Sequence, residues 1–341
     1  MPPAHPVDDD KLREECGVFG VVGVADASNF IALGLHALQH RGQEAGGIVT
    51  HDPETGFNQQ RRMGLVRDNF TSPAMMESLP GPIGIGHVRY STAGSKGQTA
   101  MRDVQPFFGE FSMGGAAIAH NGNITNADAL RRELIERGSI FQSSSDSECI
   151  IHLMARSMGR TIPDRMEEGL RKVEGAFSIV AMTRTKLIGC RDPLGVRPLV
   201  LGKIGDGWAL ASETCALDII GAEFVREIEP GEMVVINDKG VASHFPFRRA
   251  KSRFCIFEHV YFSRPDSSLG GRWPKKTLSR LIWFVLSPTV ERLLRLDIRC
   301  NRASPMRWAL FATNTWAAHL LSRPSKSAIW VCASNSMSTA P

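Results

Sequence analysis

The sequence predicts an α+β fold in which layered antiparallel sheets carry helices on the outside. Three observations lead there. Short apolar stretches recur along the chain, punctuated by Gly, Pro and Asp, which is the pattern of strands. Two helical periodicities, over residues 126–138 and 146–158, follow one another with no strand between them. Strands precede and follow that pair, so the order is not the strict alternation of a parallel sheet.

Taken in order, residues 17–24 are Val-rich, apolar and spaced by glycines, and read as a buried strand. Residues 28–42, "SNFIALGLHALQHRG", change to helical spacing with Ile31, Leu35 and Leu38 on one face. Ser28 or Asn29 is the expected N-cap and Gly42 the expected stop. "GPIGIGHVRYST" (81–92) reads as a strand with a polar far end, and "MGGAAIAHNGNIT" (113–125) as a strand running into the turn dipeptide Asn-Gly. The first of the paired helices closes at Gly138, and the second begins in Ser-Asp-Ser-Glu. Then "GAFSIVAMT", "KLIGC", "RPLVLGK", "GWALAS" and "EMVVI" are short strands.

Composition narrows the function. The chain has 341 residues, 43% hydrophobic and 22% charged, which is ordinary for a soluble globular protein. Seven scattered cysteines do not form a secreted disulfide framework, and a reducing cytoplasm fits better. The start lacks the apolar core of a signal peptide, and no apolar run reaches membrane-spanning length. The net charge of +5 is concentrated at one end: residues 268–341 hold eleven Lys/Arg and two acids. The same stretch holds two of the 32 glycines and five of the six tryptophans. It lacks any nucleic-acid-binding motif, so no nucleic-acid partner is expected.

Four clusters carry candidate chemistry. Cys16 follows two acids at the front of the first strand. It reads either as a small buried side chain or as a nucleophile released by cleavage after Glu15. A thiol needs a base, and an N-terminal cysteine brings one in its α-amine, with a pKa of about 8. Arg89, at a strand end, reads as a surface ion pair or as a fork for a substrate carboxylate. Asn121-Gly122 reads as a hairpin turn or as an oxyanion hole. Asp146 reads as part of a helix cap or as the holder of a substrate ammonium.

The strings "EECGVFGVVG", "LHALQHRGQEAGGI", "GIGHVRYSTAG", "HNGNITN", "SDSE", "RDPLGVRPLVLG", "ASETCALD" and "EPGEMVVI" resemble, in order, the glutaminase domain of the amidophosphoribosyltransferases. These are the N-terminal-nucleophile amidotransferases that open purine synthesis. The resemblance spans about residues 11–267 and ends in "CIFEHVYFSRPDS", which is similar to the family's inter-domain junction. It implies an αββα sandwich of the N-terminal-nucleophile hydrolase type. It further implies residues 1–15 as propeptide, 16–250 as the glutamine amidotransferase domain, 251–267 as junction and 268–341 as an atypical, disordered basic tail. Cys16 would attack glutamine, with Asn121 and Gly122 stabilising the oxyanion. Arg89 would hold the α-carboxylate and Asp146 the α-amine. Arg41, grouped with these substrate-binding residues, would buttress the nucleophile's turn. Ammonia would convert phosphoribosyl pyrophosphate to 5-phosphoribosylamine on a second domain.

The chain departs from the family after Ser267. The diphosphate-binding turn expected there does not follow, and residues 268–341 contain no pair of adjacent acids. Of four cysteines implied to hold a [4Fe–4S] cluster, Cys255 alone matches, so neither the cluster nor the Mg2+ site is expected to be complete; glutamine hydrolysis itself needs no cofactor. A shift of reading frame after codon 267 accounts for the change in composition. The chain is then expected to keep at most the glutaminase half. The family's homo-oligomer, built partly through the missing domain, is doubtful here. Two alternatives stand beside this: an inactive remnant, or the glutaminase half of another amidotransferase such as glucosamine-6-phosphate synthase.

Overall fold

The computed structural model describes residues 16–90, 101–247, 250–253, 255, 258, 262–264, 266 and 267. The chain divides into two units between Arg272 and Trp273, and all of these residues lie in the first. The expectations for the leader, 1–15, and the tail, 268–341, fall outside the described residues.

Among the described residues there are two antiparallel sheets. The first holds seven strands: β1 (Gly17–Val22), β2 (Ala45–Asp52), β3 (Gly56–Met63), β4 (Ile83–Arg89), β9 (Val200–Ile204), β10 (Gly207–Ala211) and β11 (Glu223–Glu227). Their order is β11-β9-β10-β1-β4-β2-β3, which puts β1 in the middle. The second holds six: β5 (Phe107–Phe111), β6 (Gly114–Ile124), β7 (Gly175–Met182), β8 (Leu187–Arg191), β12 (Met233–Asn237) and β13 (Gly240–His244), in the order β13-β12-β8-β7-β6-β5.

Strand periodicity builds the layers. Val18 of β1 and Ile83 and Ile85 of β4 meet Ala117, Ala119 and Val180 of the second sheet, and together they fill the space between the sheets. Their neighbours Phe19 and Val21 point the other way, into a layer with Ile31 and Leu35 of α1 (Ala27–Ala37) and Leu217 of α7 (Thr214–Ile219). On the far side, Ile118 and Ile124 of β6 and Phe177 and Ile179 of β7 pack under α4 (Ala127–Glu136), α5 (Glu148–Arg156) and α6 (Ile162–Leu170). Two short helices, α2 (Val66–Asn69) and α3 (Pro73–Glu77), link β3 to β4. The expected αββα sandwich is the fold observed.

Several details differ from the sequence expectation. The N-cap of α1 is Asp26, with no side-chain cap bond, because Ala27 N donates to Gly81 O at 3.1 Å and draws the helix start forward. The helix stops at Ala37, and a separate 3-10 turn, Gln39–Arg41, precedes Gly42. A third helix, α6, follows the expected pair, opened by a capping box between Thr161 and Asp164.

The Asn-Gly dipeptide is not a turn. Asn121 and Gly122 lie inside β6, in register with Ser178 and Phe177 of β7. Tertiary pairing has overridden the local turn preference. Gly122 has φ +152°, and a Cβ there would stand 2.0 Å from Ala176 O, so the neighbouring strand excludes any side chain.

Candidate active site

Parity brings the candidate residues to one end of the inter-sheet space. Cys16 precedes Val18 by two residues and so shares its face toward the second sheet. The β1–β4 register pairs Gly17 with Val88, and its continuation sets Cys16 opposite Arg89. Arg89 has the parity of Ile83 and Ile85, and on the opposing sheet Asn121 has that of Ala117 and Ala119. β1 packs directly on β6.

Cys16 is half-buried, and its Sγ lies 3.7 Å from Tyr90 O. Three other described thiols, Cys149, Cys190 and Cys215, are buried. Burial pushes Cys149 up to about 11 and holds Cys190 and Cys215 well above the ordinary thiol value. Thiols kept protonated in this way are poor nucleophiles. Asn121 is 0% exposed, and neither its Nδ2 nor its Oδ1 has a hydrogen-bond partner.

Arg89 Nη2 lies 3.5 Å from Asp103 Oδ2. Asp103 also accepts from Ser144 N at 2.8 Å and Ser144 Oγ at 2.7 Å, so one carboxylate orients the arginine and ties down the approach to α5. Asp146 is not the cap of α5; that position is Ser147, which makes no side-chain cap bond. Instead Asp146 Oδ2 accepts from Ile124 N at 2.9 Å, and Oδ1 accepts from Ser147 Oγ at 3.1 Å. With its single proton given to Asp146, the Ser147 hydroxyl accepts from His120 Nδ1 at 2.8 Å and Gln105 Nε2 at 3.1 Å. The carboxylate is therefore fastened to β6, the strand that carries Asn121 and Gly122.

Beneath this, His87 Nε2 meets His120 O at 3.1 Å between the sheets. Burial, reinforced by His120, lowers the His87 pKa to about 3. The folded state therefore binds fewer protons than the unfolded state from pH 6.5 down to about 3, and stability falls with falling pH in that window. A slope of up to about 1.4 kcal/mol per pH unit is expected from this one group. Urea unfolding of His87→Gln between pH 4 and 7 is expected to give a flatter profile than the parent protein.

Arg41, expected to buttress the nucleophile's turn, is buried. Its side chain is 0% exposed, and its guanidinium is held by Glu213 through Nε and by Glu258 through Nη2, the latter at 3.0 Å. Burial alone would raise the Glu213 carboxyl, but Arg41 and His40 more than offset this and hold it far below the ordinary range. Burial works against the charge on Arg41, yet the two carboxylates keep the guanidinium firmly protonated. Arg41 thus braces the turn beside Arg89, since a Cβ on Gly42 would lie 2.6 to 2.8 Å from Arg89 backbone atoms.

Asp103, Ser147, His120, Glu213 and Glu258 join the site without having been singled out in the sequence. Ser147, His120, Glu213 and Glu258 lay inside strings that were, "SDSE", "HNGNITN", "ASETCALD" and "CIFEHVYFSRPDS", and only Asp103 lay outside them. Cys255 is half-buried, and among the described residues no group of three or more His, Cys, Asp or Glu is placed to hold a metal ion. The described residues do not fit a [4Fe–4S] cluster.

The glutamine amidotransferase domain family matches residues 87–218. An amidophosphoribosyltransferase of Rhizobium etli is 53% identical over 277 residues, covering 80% of this chain and 55% of the relative. Amidophosphoribosyltransferase 1 of Arabidopsis thaliana, a chloroplast protein, is 47% identical over 266 residues, covering 78% of this chain and 46% of the relative. Among solved structures, the glutamine phosphoribosylpyrophosphate amidotransferase of B. subtilis, complexed with ADP and GMP, is 42% identical with a TM-score of 0.69, covering 75% of this chain and 55% of that one. A structure described as the allosteric regulatory enzyme of purine biosynthesis is 43% identical with a TM-score of 0.70, covering 74% and 54%. The chain spans about half the length of the curated relatives it matches. With two sheets, a thiol at the head of the central strand and a buried amide facing it, the chain belongs to the glutamine amidotransferase family, in the form that makes up the N-terminal part of the amidophosphoribosyltransferases.

Proposed function

We propose that residues 16–250 form a glutaminase whose nucleophile is Cys16, exposed as the chain's first residue by loss of residues 1–15. The free α-amine takes the thiol proton as the sulfur attacks the side-chain amide carbon of glutamine. Asn121 Nδ2 and the Gly122 N–H donate to the oxyanion that forms. Arg89 pairs with the α-carboxylate, and Asp146, anchored through Ser147 and Ile124, pairs with the α-ammonium. The amide nitrogen takes the proton and leaves as ammonia, and water then cleaves the thioester to give glutamate.

The observation that carries this reading is the Asn121 amide, fully buried on the Cys16 face with both polar atoms unpartnered. Such a group costs on the order of 1–3 kcal/mol. A substrate oxygen accepting from Nδ2 would offset that cost, whereas a purely structural asparagine would be bonded within the protein.

In the complete enzyme the ammonia would displace pyrophosphate from phosphoribosyl pyrophosphate, giving 5-phosphoribosylamine in the first committed step of purine synthesis. That transfer and its Mg2+ belong to the acceptor half, which also contributes part of the homo-oligomer, and this chain supplies the glutaminase half. We place the protein in the cytoplasm; among the described residues no helix is long and apolar enough to cross a membrane. Mass spectrometry of the purified protein is expected to find an N-terminus at residue 16. A glutamine-like diazo-ketone is expected to label that residue. A processed chain inert to the reagent would defeat the reading.

A further inference from the structure

The string "CIFEHVYFSRPDS" has no part in the chemistry just described, yet its described residues are fastened onto the sandwich. After β13 the chain returns, and Arg253 N donates to Leu194 O at 2.8 Å. Glu258, 2% exposed, then accepts from Arg197 Nη1 at 2.6 Å and from Arg41 Nη2 at 3.0 Å. Further on, Arg264 N donates to Glu213 Oε2 at 3.0 Å, and the Ser267 hydroxyl lies 3.3 Å from Thr214 Oγ1. The segment thus ties together the turn of Arg41, the loop holding Arg197 and the start of α7.

A contact path leads from Glu258 to the thiol. Arg41 is followed by Gly42, which abuts the Arg89 backbone within 2.6 to 2.8 Å of where a Cβ would stand. Glu44 N donates to Arg89 O at 3.2 Å, so the same turn is hydrogen-bonded to that strand end. The next residue's carbonyl, Tyr90 O, is the contact of Cys16 Sγ at 3.7 Å. We propose that Glu258 is a positioning residue for the Cys16 site: it fixes Arg41 and, through it, the Arg89–Tyr90 edge against which the thiol rests. The functional domain then extends past residue 250 to include this strap. The kinetic part of the proposal rests on the glutaminase reading above.

A carboxylate that only neutralised two buried arginines would behave differently, because buried ion pairs contribute little net stability and serve charge balance equally with either partner. Glu258→Gln keeps the size and one acceptor but drops the charge. Arg197→Gln removes the other partner and leaves the Arg41–Glu258 contact in place. In the full chain, Glu258→Gln is expected to lower kcat/KM for glutamine about 10- to 100-fold, chiefly through KM, since small displacements of bound groups have effects of that size. Glu258→Asp is expected to recover part of the loss, and Arg197→Gln to stay within about twofold of the parent. Equal losses in Glu258→Gln and Arg197→Gln would overturn the proposal, as would an unchanged kcat/KM in Glu258→Gln with a lowered Tm. Alkylation of Cys16 by iodoacetamide, followed by mass spectrometry, reads the thiol's placement independently of glutamine. A changed rate in Glu258→Gln supports the proposal and an unchanged rate overturns it. A parent protein alkylated at Cys16 but inert to glutamine would sink the glutaminase reading alone, and the alkylation comparison would still decide the role of Glu258.

Discussion

Cys16→Ala is expected to abolish glutamine hydrolysis while leaving the fold intact. The side chain is small and half-buried, with Sγ 3.7 Å from Tyr90 O, so truncation to Ala removes a single sulfur atom. The Tm is expected to move by no more than about 4 °C, the shift that ~1 kcal/mol produces in a domain of this size. The buried thiols Cys149, Cys190 and Cys215 are held protonated and are poorly placed to take over. Glutamate release should fall to background, and labelling by the diazo-ketone should disappear with it. Cys16→Ser should also slow removal of the leader, because a hydroxyl is the weaker nucleophile at the same place. Glutamine turnover persisting in Cys16→Ala would mean that the chemistry lies elsewhere.

Asn121→Ala should separate activity from stability. Loss of one oxyanion donor is expected to cost about 10²–10³ in kcat, or roughly 2.7–4 kcal/mol of transition-state stabilisation. The same change removes a buried amide with no partner, so thermal stability should hold or rise. A structural asparagine would show the reverse, with stability falling and kcat following only as folded protein is lost. Steady-state kinetics beside a thermal melt of the same preparation distinguishes the two. Full turnover in a folded Asn121→Ala protein would remove the oxyanion role.

Cys16, Arg89, Asn121, Gly122 and Asp146 were legible in the sequence as candidates because each lies in a short string of chemistry-bearing residues. Their convergence was not, since it depends on strand parity and register that only the assembled sheets supply. The polar partners were hidden for a related reason. Arg41 meets Glu213 at a separation of 172 residues and Glu258 at 217, beyond any local pattern. Gln39 likewise fixes α2 by accepting from Val66 N at 2.7 Å, a contact with no local signature. Among the elements, β3 escaped notice because its residues, "GFNQQRRM", are largely polar and half-exposed at a sheet edge. Asn121-Gly122 misled as a turn because local preference is weak against strand pairing, here with Ser178 and Phe177 of β7. The helix α6 was different: the Thr161 and Asp164 box was visible in the sequence, and Pro163 beside it fits a first turn.

The central place of β1 bears on what a cut after Glu15 would leave behind. A freshly made chain end is ordinarily the part of a protein that frays first. Here the residues directly behind the new end are stitched to β4 along one side from Gly17 onward and to β10 along the other from Phe19 onward. Severing the leader would therefore not loosen the stub, and the reactive pair at its tip would be carried on one of the best-anchored threads in the protein.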